Sequence, residues 1–399
     1  MPEGTHGPTE ASGPRPDAHR LREVAGFFLK LGFIAFGGPA AHIAMMDDEV
    51  VRRRGWVTRE QFLDLLGAAN LIPGPSSTEL AIYLGRRRAG WPGLLLAGIC
   101  FLCPAMVLVL ALAMAYVHFG TLPEVGWLLY GVKPVIIAIV LQALWNLGRT
   151  AVKGPLTAVV GVAAVALSFL GVNLLVILFA SGLVLLAVAT LRGASGWLAS
   201  VAAWAGSGLL PPVASAVPAG GLAAPVSLWL LTGVFLKVGA ILFGSGYVLL
   251  AFLRADLVQH FGWLTDQQLI DAIAVGQVTP GPVFTTATFI GYLVAGLPGA
   301  LLATVGIFFP SFVLVAATYP IIPKLRQSRW TAGFLDGVNV ASLGLMATVT
   351  WQLGRAALVD AVTVGLGVVA TLLAFRLRIN SAWLVLGGGL VGLAVKLLG

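Results

Sequence analysis

These 399 residues read as an all-α polytopic membrane protein of two homologous halves in inverted topology, with broken or re-entrant helices. Three observations lead there. The chain is more apolar than a water-soluble domain tolerates, it repeats itself, and its basic loops change sides between the repeats.

Of the residues, 58% are hydrophobic and 10% charged, against about 45–50% and about 25% in soluble domains. Mean hydropathy is +0.96, so the lipid bilayer is the expected surrounding. The net charge of +8 comes from short basic clusters set between apolar runs. That is the pattern of cytoplasmic loops, not of a nucleic-acid-binding face. Cys100 and Cys103 lie inside one apolar run without a redox or zinc context. There is no G-x-x-x-x-G-K-[ST] loop, no H-E-x-x-H and no cluster with metal-ligand spacing. Neither a cofactor nor a metal is expected. A membrane-embedded enzyme would need a titratable cluster at one depth, and none is visible.

Residues 1–21 are polar and read as a disordered tail. The first half follows over 22–192. Residues 193–228 form an uncharged Pro/Gly-rich linker holding one further apolar segment, and the second half runs over 229–399. The halves are seen by overlay at an offset of 207, as from Lys30 to Lys237. Phe36-Gly37 then falls on Phe243-Gly244, Gly55-Trp56 on Gly262-Trp263, and Asp64 on Asp271. Pro73-Gly74-Pro75 falls on Pro280-Gly281-Pro282, and Thr78 on Thr285. After a one-residue slip, Gly85, Pro92-Gly93 and Pro104 meet Gly291, Pro298-Gly299 and Pro310. Unrelated apolar stretches share Leu and Val, but not Gly, Pro, Trp, Asp and Lys in order.

In the first half, Arg86, Arg87 and Arg88 precede an apolar run over 92–118, and the loop 119–124 has no Lys or Arg. In the second half the equivalent loop carries Lys324, Arg326 and Arg329, while the stretch before Pro298 has none. Equivalent loops thus face opposite sides. Arg355 dissents; Arg376 and Arg378 agree. Arg52–Arg54 and Arg86–Arg88 bracket the first Pro-Gly-Pro, with two flanking segments, 61–71 and 76–84, too short to cross about 30 Å. A re-entrant hairpin with its tip at Pro73-Gly74-Pro75 fits; a single kinked spanning helix is the alternative. The whole chain makes about ten to thirteen spans on this reading.

Inverted repeats with breaks at matching positions are the architecture of secondary transporters, whose sites lie between repeats near the midplane. The breaks here are Gly37, Gly38 and Pro39 with Gly244 and Ser245, and the two Pro-Gly-Pro tips. Ser76, Ser77 and Thr78 follow one tip and Thr285 the other. A half-helix starting there offers free N–H groups, a dipole end and hydroxyl donors to an anion. Asn70 and Gln277 match just before the tips as ligand donors. Lys30 and Lys237 match inside apolar segments, placed to neutralise a dianion or to snorkel to the interface. Asp64 and Asp271 are candidates for proton coupling, or for capping and ion pairing. Glu79 has no acidic counterpart, Lys133 faces Asn339 in the repeat, and His42 and His118 read as structural.

The Phe-Gly-Gly-Pro box at 36–39, Gly-Trp at 55–56 and Pro-Gly-Pro at 73–75, echoed in the second half, resemble the chromate ion transporter family in its long, two-domain form. The resemblance covers about 22–399. It implies a secondary transporter exporting chromate across the bacterial inner membrane and conferring chromate resistance. Sulfate, or another tetrahedral oxyanion, is the alternative substrate. The second half departs from the first box, with Gly-Ser-Gly at 244–246. An inside-negative potential favours dianion efflux, and proton exchange would add to it. Nothing in the pattern sets an oligomeric state.

Overall fold

The computed structural model describes residues 18–36, 38–120, 122–191, 226–243, 248–321, 329–377 and 379–398. Outside them lie the tail up to residue 17, nearly all of the linker (192–225), the expected site residues Gly37, Gly244 and Ser245, and the loop cations Lys324, Arg326 and Arg378.

The first half opens with two helical hairpins. Helix α1 (Ala18–Ile34) gives way to non-helical Ala35 and Phe36, and α2 (Gly38–Asp47) continues as a π-helical stretch to Arg53. Helix α3 (Arg59–Ala69) leads to the Pro-Gly-Pro tip and α4 (Ser76–Phe119) leaves it. Three points of this path come back to one level. Arg88 donates to Glu23 of α1 at 2.6 Å. The Arg88 and Arg54 guanidinium groups lie 5.3 and 5.5 Å from the Trp56 ring. Trp56 stands edge-on to Phe27 at 5.8 Å. The chain therefore enters and leaves twice on the face that carries the arginines, and the N-terminal end of α1 lies on that face too. The re-entrant reading holds for 59–88, and the break after Ile34 makes a second hairpin of α1 and α2.

The start of α3 is written locally. Thr58 and Gln61 cap each other, side chain to backbone, at 3.2 Å both ways, which satisfies the first orphan N–H groups. Thr265 and Gln268 repeat the box at the start of α10 below, at 2.9 and 3.1 Å.

Helix α4 is two helices. Ala89 (φ −137°) and Gly90 (φ 67°) break it, and the chain doubles back. Gly85 and Gly93 then lie so close that a Cβ on either would collide with the other's carbonyl, and Ile82 meets Gly98. The arm 76–88 rises about 20 Å, too little to span, whereas 91–119 rises about 43 Å. Next come α5 (Pro123–Ala151), α6 (Pro155–Phe169) and α7 (Leu174–Leu191).

The second half repeats these steps. Helix α8 (Leu228–Ile241) matches α1, and α9 (Leu249–Leu253), with a π stretch to His260, matches α2. Helix α10 (Asp266–Val278) leads to the second tip, and α11 (Thr286–Thr318) breaks at Ala295 (φ −145°) and Gly296 (φ 62°). Gly291 and Gly299 touch as Gly85 and Gly93 do. Helices α12 (Arg329–Ala357), α13 (Ala361–Leu372) and α14 (Ser381–Leu398) complete it.

The inversion is visible in what the long arms reach. The arm 297–318 rises about 33 Å from the Gly296 turn and ends beside the first hairpin's base. There the Tyr83 hydroxyl meets Thr318 Oγ1 at 2.5 Å, and Arg86 lies over the Tyr319 ring. Conversely, 91–119 ends where the Tyr116 hydroxyl donates to Asp271 of α10 at 2.9 Å. Each hairpin pair thus enters from the face opposite the other. The halves also interlock: α5 packs on α13 and α14, and α12 packs on α6 and α7. Gly131 abuts Gly388 and Gly392, and its repeat mate Gly337 abuts Ser181 and Gly182, backbone against backbone. Among the described residues, four helices are long and apolar enough to cross a membrane and five shorter apolar helices accompany them. Four long and five shorter apolar helices stand against the ten to thirteen spans expected.

Candidate functional site

The two tips meet in the middle, each held by the other half. Gly74 N–H donates to the Leu242 carbonyl at 2.8 Å, and Gly281 N–H to the Ala35 carbonyl at 2.9 Å. Ala35 and Leu242 are repeat mates, each just past the end of a broken helix. Carbonyls freed by the breaks are thus satisfied across the pseudo-twofold axis. Both glycines are required. Gly74 has φ 135° and Gly281 φ 92°, and a Cβ would run into Glu79 and Ser311 at the first, and into Ala105 at the second.

His42 adds a second tie at the first break. It is fully buried, with Nε2 3.0 Å from the Ala35 carbonyl and Nδ1 3.2 Å from Ser77 Oγ. Next to a carbonyl, Nε2 must carry the proton, so Nδ1 accepts from the Ser77 hydroxyl.

Above the first tip lies a cavity of about 790 Å³. Its floor is Asn70, Pro75, Ser76 and Ser77 of the first hairpin with Pro282 and Val283 of the second tip. Its walls are Pro39, Ala40, Ala41 and Ile43 of α2, Gln142, Asn146 and Thr150 of α5, Asn339 and Ser342 of α12, and Asn380. Among the described residues the second hairpin contributes its tip and Val248, while Lys153 and Asp336 line the cavity at the ends of α5 and α12 that return to the arginine-bearing face. The cavity therefore opens on the arginine-bearing face. Among the described lining residues only Lys153 and Asp336 are charged, and they pair at 2.7 Å. Everything else that can meet a ligand is a hydroxyl, an amide or backbone. The Ser342 hydroxyl is buried with no hydrogen-bond partner.

Among the described residues, the mates of part of this lining pack closely. A void of about 10 Å³ remains between Leu250, Leu253, Ile273, Gln277 and Val283. Leu250, Gln277 and Val283 are the repeat mates of Ile43, Asn70 and Ser76. On this side Lys133 lies 3.4 Å from Asp271, which also takes the Tyr116 hydrogen bond. Two repeat-related places, one open and one narrow, are what an alternating-access carrier presents at one end of its cycle.

The chromate transporter family model matches residues 22–187 and again 229–393. The chain belongs to the chromate transporter family. It is 34% identical over 383 residues to a chromate transport protein of Cupriavidus metallidurans, covering 94% of this chain and 93% of the relative. It is 34% identical to a probable chromate transport protein of Synechococcus elongatus, covering 90% and 91%. A chromate transport protein of Pseudomonas aeruginosa is 32% identical over 92% and 90%. No solved structure matches the chain.

Within this family member, the expected site residues separate into groups. Gly38, Pro39, Asn70, Pro75, Ser76, Ser77 and Pro282 line the cavity. Pro73, Gly74, Pro280 and Gly281 build the tips beneath it. Thr78 is buried with its hydroxyl unpartnered, and the Thr285 hydroxyl donates to the Pro282 carbonyl at 2.7 Å. Gln277 lies at the closed counterpart. The two lysines are not brought together. Lys30 shares the exposed face of α1 with Leu29 and Phe33, away from the cavity, because the 3.6-residue period points its turn outward. Lys237 is paired with Asp256 at 2.6 Å. A dianion-neutralising lysine pair is therefore not part of this cavity. Asp64 is half-buried on α3, and Asp271 is held in the Lys133 and Tyr116 cluster.

The sequence reading passed over the amides of α5 and α12. Asn146 and Asn339 stand in apolar helices, where an uncharged polar side chain is itself a pointer to a water-filled wall.

Proposed function

We propose that this protein carries chromate outward across the bacterial inner membrane by alternating access, driven by the membrane potential, and so confers chromate resistance. The observation that carries the reading is an inequality among the described residues: a cavity of about 790 Å³ on the arginine-rich face, against a void of about 10 Å³ beside the repeat mates Leu250, Gln277 and Val283. Basic loops mark the cytoplasmic face, so the open cavity faces the cytoplasm, where an exporter loads. A tetrahedral oxyanion presents acceptors in four directions. The Ser76 hydroxyl at a half-helix N-terminus, the amides of Asn70, Asn146 and Asn339, and the orphaned Ser342 hydroxyl supply donors around it. With Lys153 neutralised by Asp336, dipoles rather than free charges hold the anion, which suits release on the far side.

The energetics favour export. A dianion leaving an inside-negative cell gains about 4.6 kcal/mol per 100 mV. Chromate accumulation in everted vesicles, where export appears as uptake, is the test. Potential-driven, saturable accumulation is expected, with excess sulfate competing. Asn70→Ala and Ser76→Ala should each lower the affinity about 10- to 100-fold, the worth of a hydrogen bond to a charged group. Lys30→Ala should leave uptake within about twofold, as for a surface substitution. No accumulation under either a potential or a pH gradient overturns the assignment, and labelled sulfate becomes the next substrate to try.

A further inference from the structure

Glu79 lies in the first turn of the half-helix that begins at Ser76, directly under the first tip. The residue is wholly buried. Its Oε1 sits against Gly74 and accepts one long hydrogen bond from Ser311, at 3.4 Å. Its Oε2 is buried and has no partner. Among the described residues no Lys, Arg or His pairs with it. The titratable groups near it are Tyr83, one turn along the same helix, and His42 of α2, which is engaged with Ser77 and Ala35. The Ser311 hydroxyl of α11 donates to it, and the Leu242 carbonyl just past α8 is taken by Gly74 N–H. Lys30 of α1 is on the exposed face and Asp64 of α3 is half-buried.

An ionised carboxylate has about four acceptor sites to fill, and burying it without a counter-charge is unfavourable. One weak donor does not meet that demand, so the neutral acid is the form that fits. Glu79 is also only about 5 Å along the helix axis from Ser76, the hydroxyl on the cavity floor. A dianion at Ser76 and an ionised Glu79 would repel one another at short range in a poor dielectric. Anion binding and protonation of Glu79 therefore favour each other, and by linkage the favour is mutual.

We propose that Glu79 holds one proton for each chromate carried, so that chromate and a proton cross together with one net negative charge. This rests on the chromate transport proposed above, and it replaces proton exchange with movement of the proton alongside the anion. It also explains how a cavity without a free cation tolerates a dianion: the charge that must pass the closed half-site is halved.

The test is the full-length protein in proteoliposomes with chromate as probe and the potential clamped by potassium and an ionophore. With the potential at zero, a pH gradient should drive chromate toward the alkaline side, up to about tenfold per pH unit at balance. Reversal potentials should give one net charge per chromate. Glu79→Gln, a permanent neutral stand-in, should still respond to a potential, lose the response to a pH gradient, and move two charges per chromate. Glu79→Asp should restore the coupling, which separates proton carriage from a purely structural need. Potential-driven chromate movement in the wild type with two charges and no pH-gradient response overturns the inference but keeps the carrier. Coupling that survives in Glu79→Gln also overturns it, as does coupling to a sodium gradient in place of protons. Absence of all chromate movement in the wild type overturns the transport reading instead.

Discussion

The two Pro-Gly-Pro tips share a backbone and differ in chemistry. Both hold a left-handed glycine, and both donate its N–H to the end of a broken helix in the other half. Around the first stand Asn70, Ser76, Ser77 and Glu79; around the second stand Gln277, Val283, Phe284 and Thr286. Asn339 lines the open cavity, and its repeat mate Lys133 is locked to Asp271 on the closed side. Duplication has kept the mechanical device twice and the polar floor once. The comparison suggests one half specialised for holding the anion and the other for closing over it.

The largest effect tests what the tips share. Gly74→Ala and Gly281→Ala each force a left-handed backbone on a residue that resists it and drive a Cβ into packed atoms. Each should cost about 1–3 kcal/mol in strain before the collision is added, and transport should fall to background. If Gly281→Ala folds and transports normally, the second tip is not a mechanical equal of the first.

Next comes the element found only on the closed side. Lys133→Met or Asp271→Asn alone breaks a buried pair and should lower stability by about 3–5 kcal/mol. The double variant Lys133→Met/Asp271→Leu should recover most of it, read from melting in detergent. A cysteine at Leu253, with Cys100 and Cys103 replaced by Ala, should be labelled from outside faster by an impermeant maleimide in the single variants. Equal labelling would mean that the pair braces the fold without closing the outer half-site.

A third variant exchanges floors. Ser76→Val should weaken chromate affinity about 10- to 100-fold through a lost donor to a charged ligand. Val283→Ser, at the matching place, should change it by less than about threefold. Comparable losses from both would mean that the anion touches both tips alike.

Much of this was legible in the residues. Proline, glycine and tryptophan repeat because backbone devices tolerate few substitutes, so the overlay found both tips and the Gly-Trp corners. The arginine clusters placed the hairpin base, since Arg52–Arg54 and Arg86–Arg88 had to share a face. What the sequence hid was direction and partnership. Lys30 and Lys237 look buried along the chain, but a helix turns one residue in every few outward, and only packing shows which. Lys133 and Asp271 are 138 positions apart (271 − 133), so no local pattern links them. Glu79 looked unimportant because it has no acidic mate, although asymmetry is what a coupling residue in one half-site would show.

The smallest effects belong to the rims, where the two ends of α5 are tied to the second half, one to α12 and the other to the start of α13. Lys153 and Asp336 meet at 2.7 Å beside the open cavity, with the lysine 60% exposed. An ion pair so wet is worth about 0–1 kcal/mol, so Lys153→Gln should barely change melting and should matter mainly for access of anions at low salt. On the other face the Tyr130 hydroxyl donates to Asp360 at 2.7 Å. Asp360 also caps α13, accepting from Thr363 N–H at 2.8 Å. That backbone hydrogen bond first, and then the Tyr130 hydroxyl, hold the Asp360 carboxyl below the usual aspartate range. A depressed carboxyl stabilises the fold above its unfolded value, and loses that contribution only as the pH falls through its folded value. The outer tie should therefore persist through mildly acidic pH. Asp360→Asn should remove this dependence, leaving a melting curve flatter with pH at the acid end than the wild type. A wild-type tie already lost near neutral pH would contradict the cap geometry, and with it the difference between the two rims.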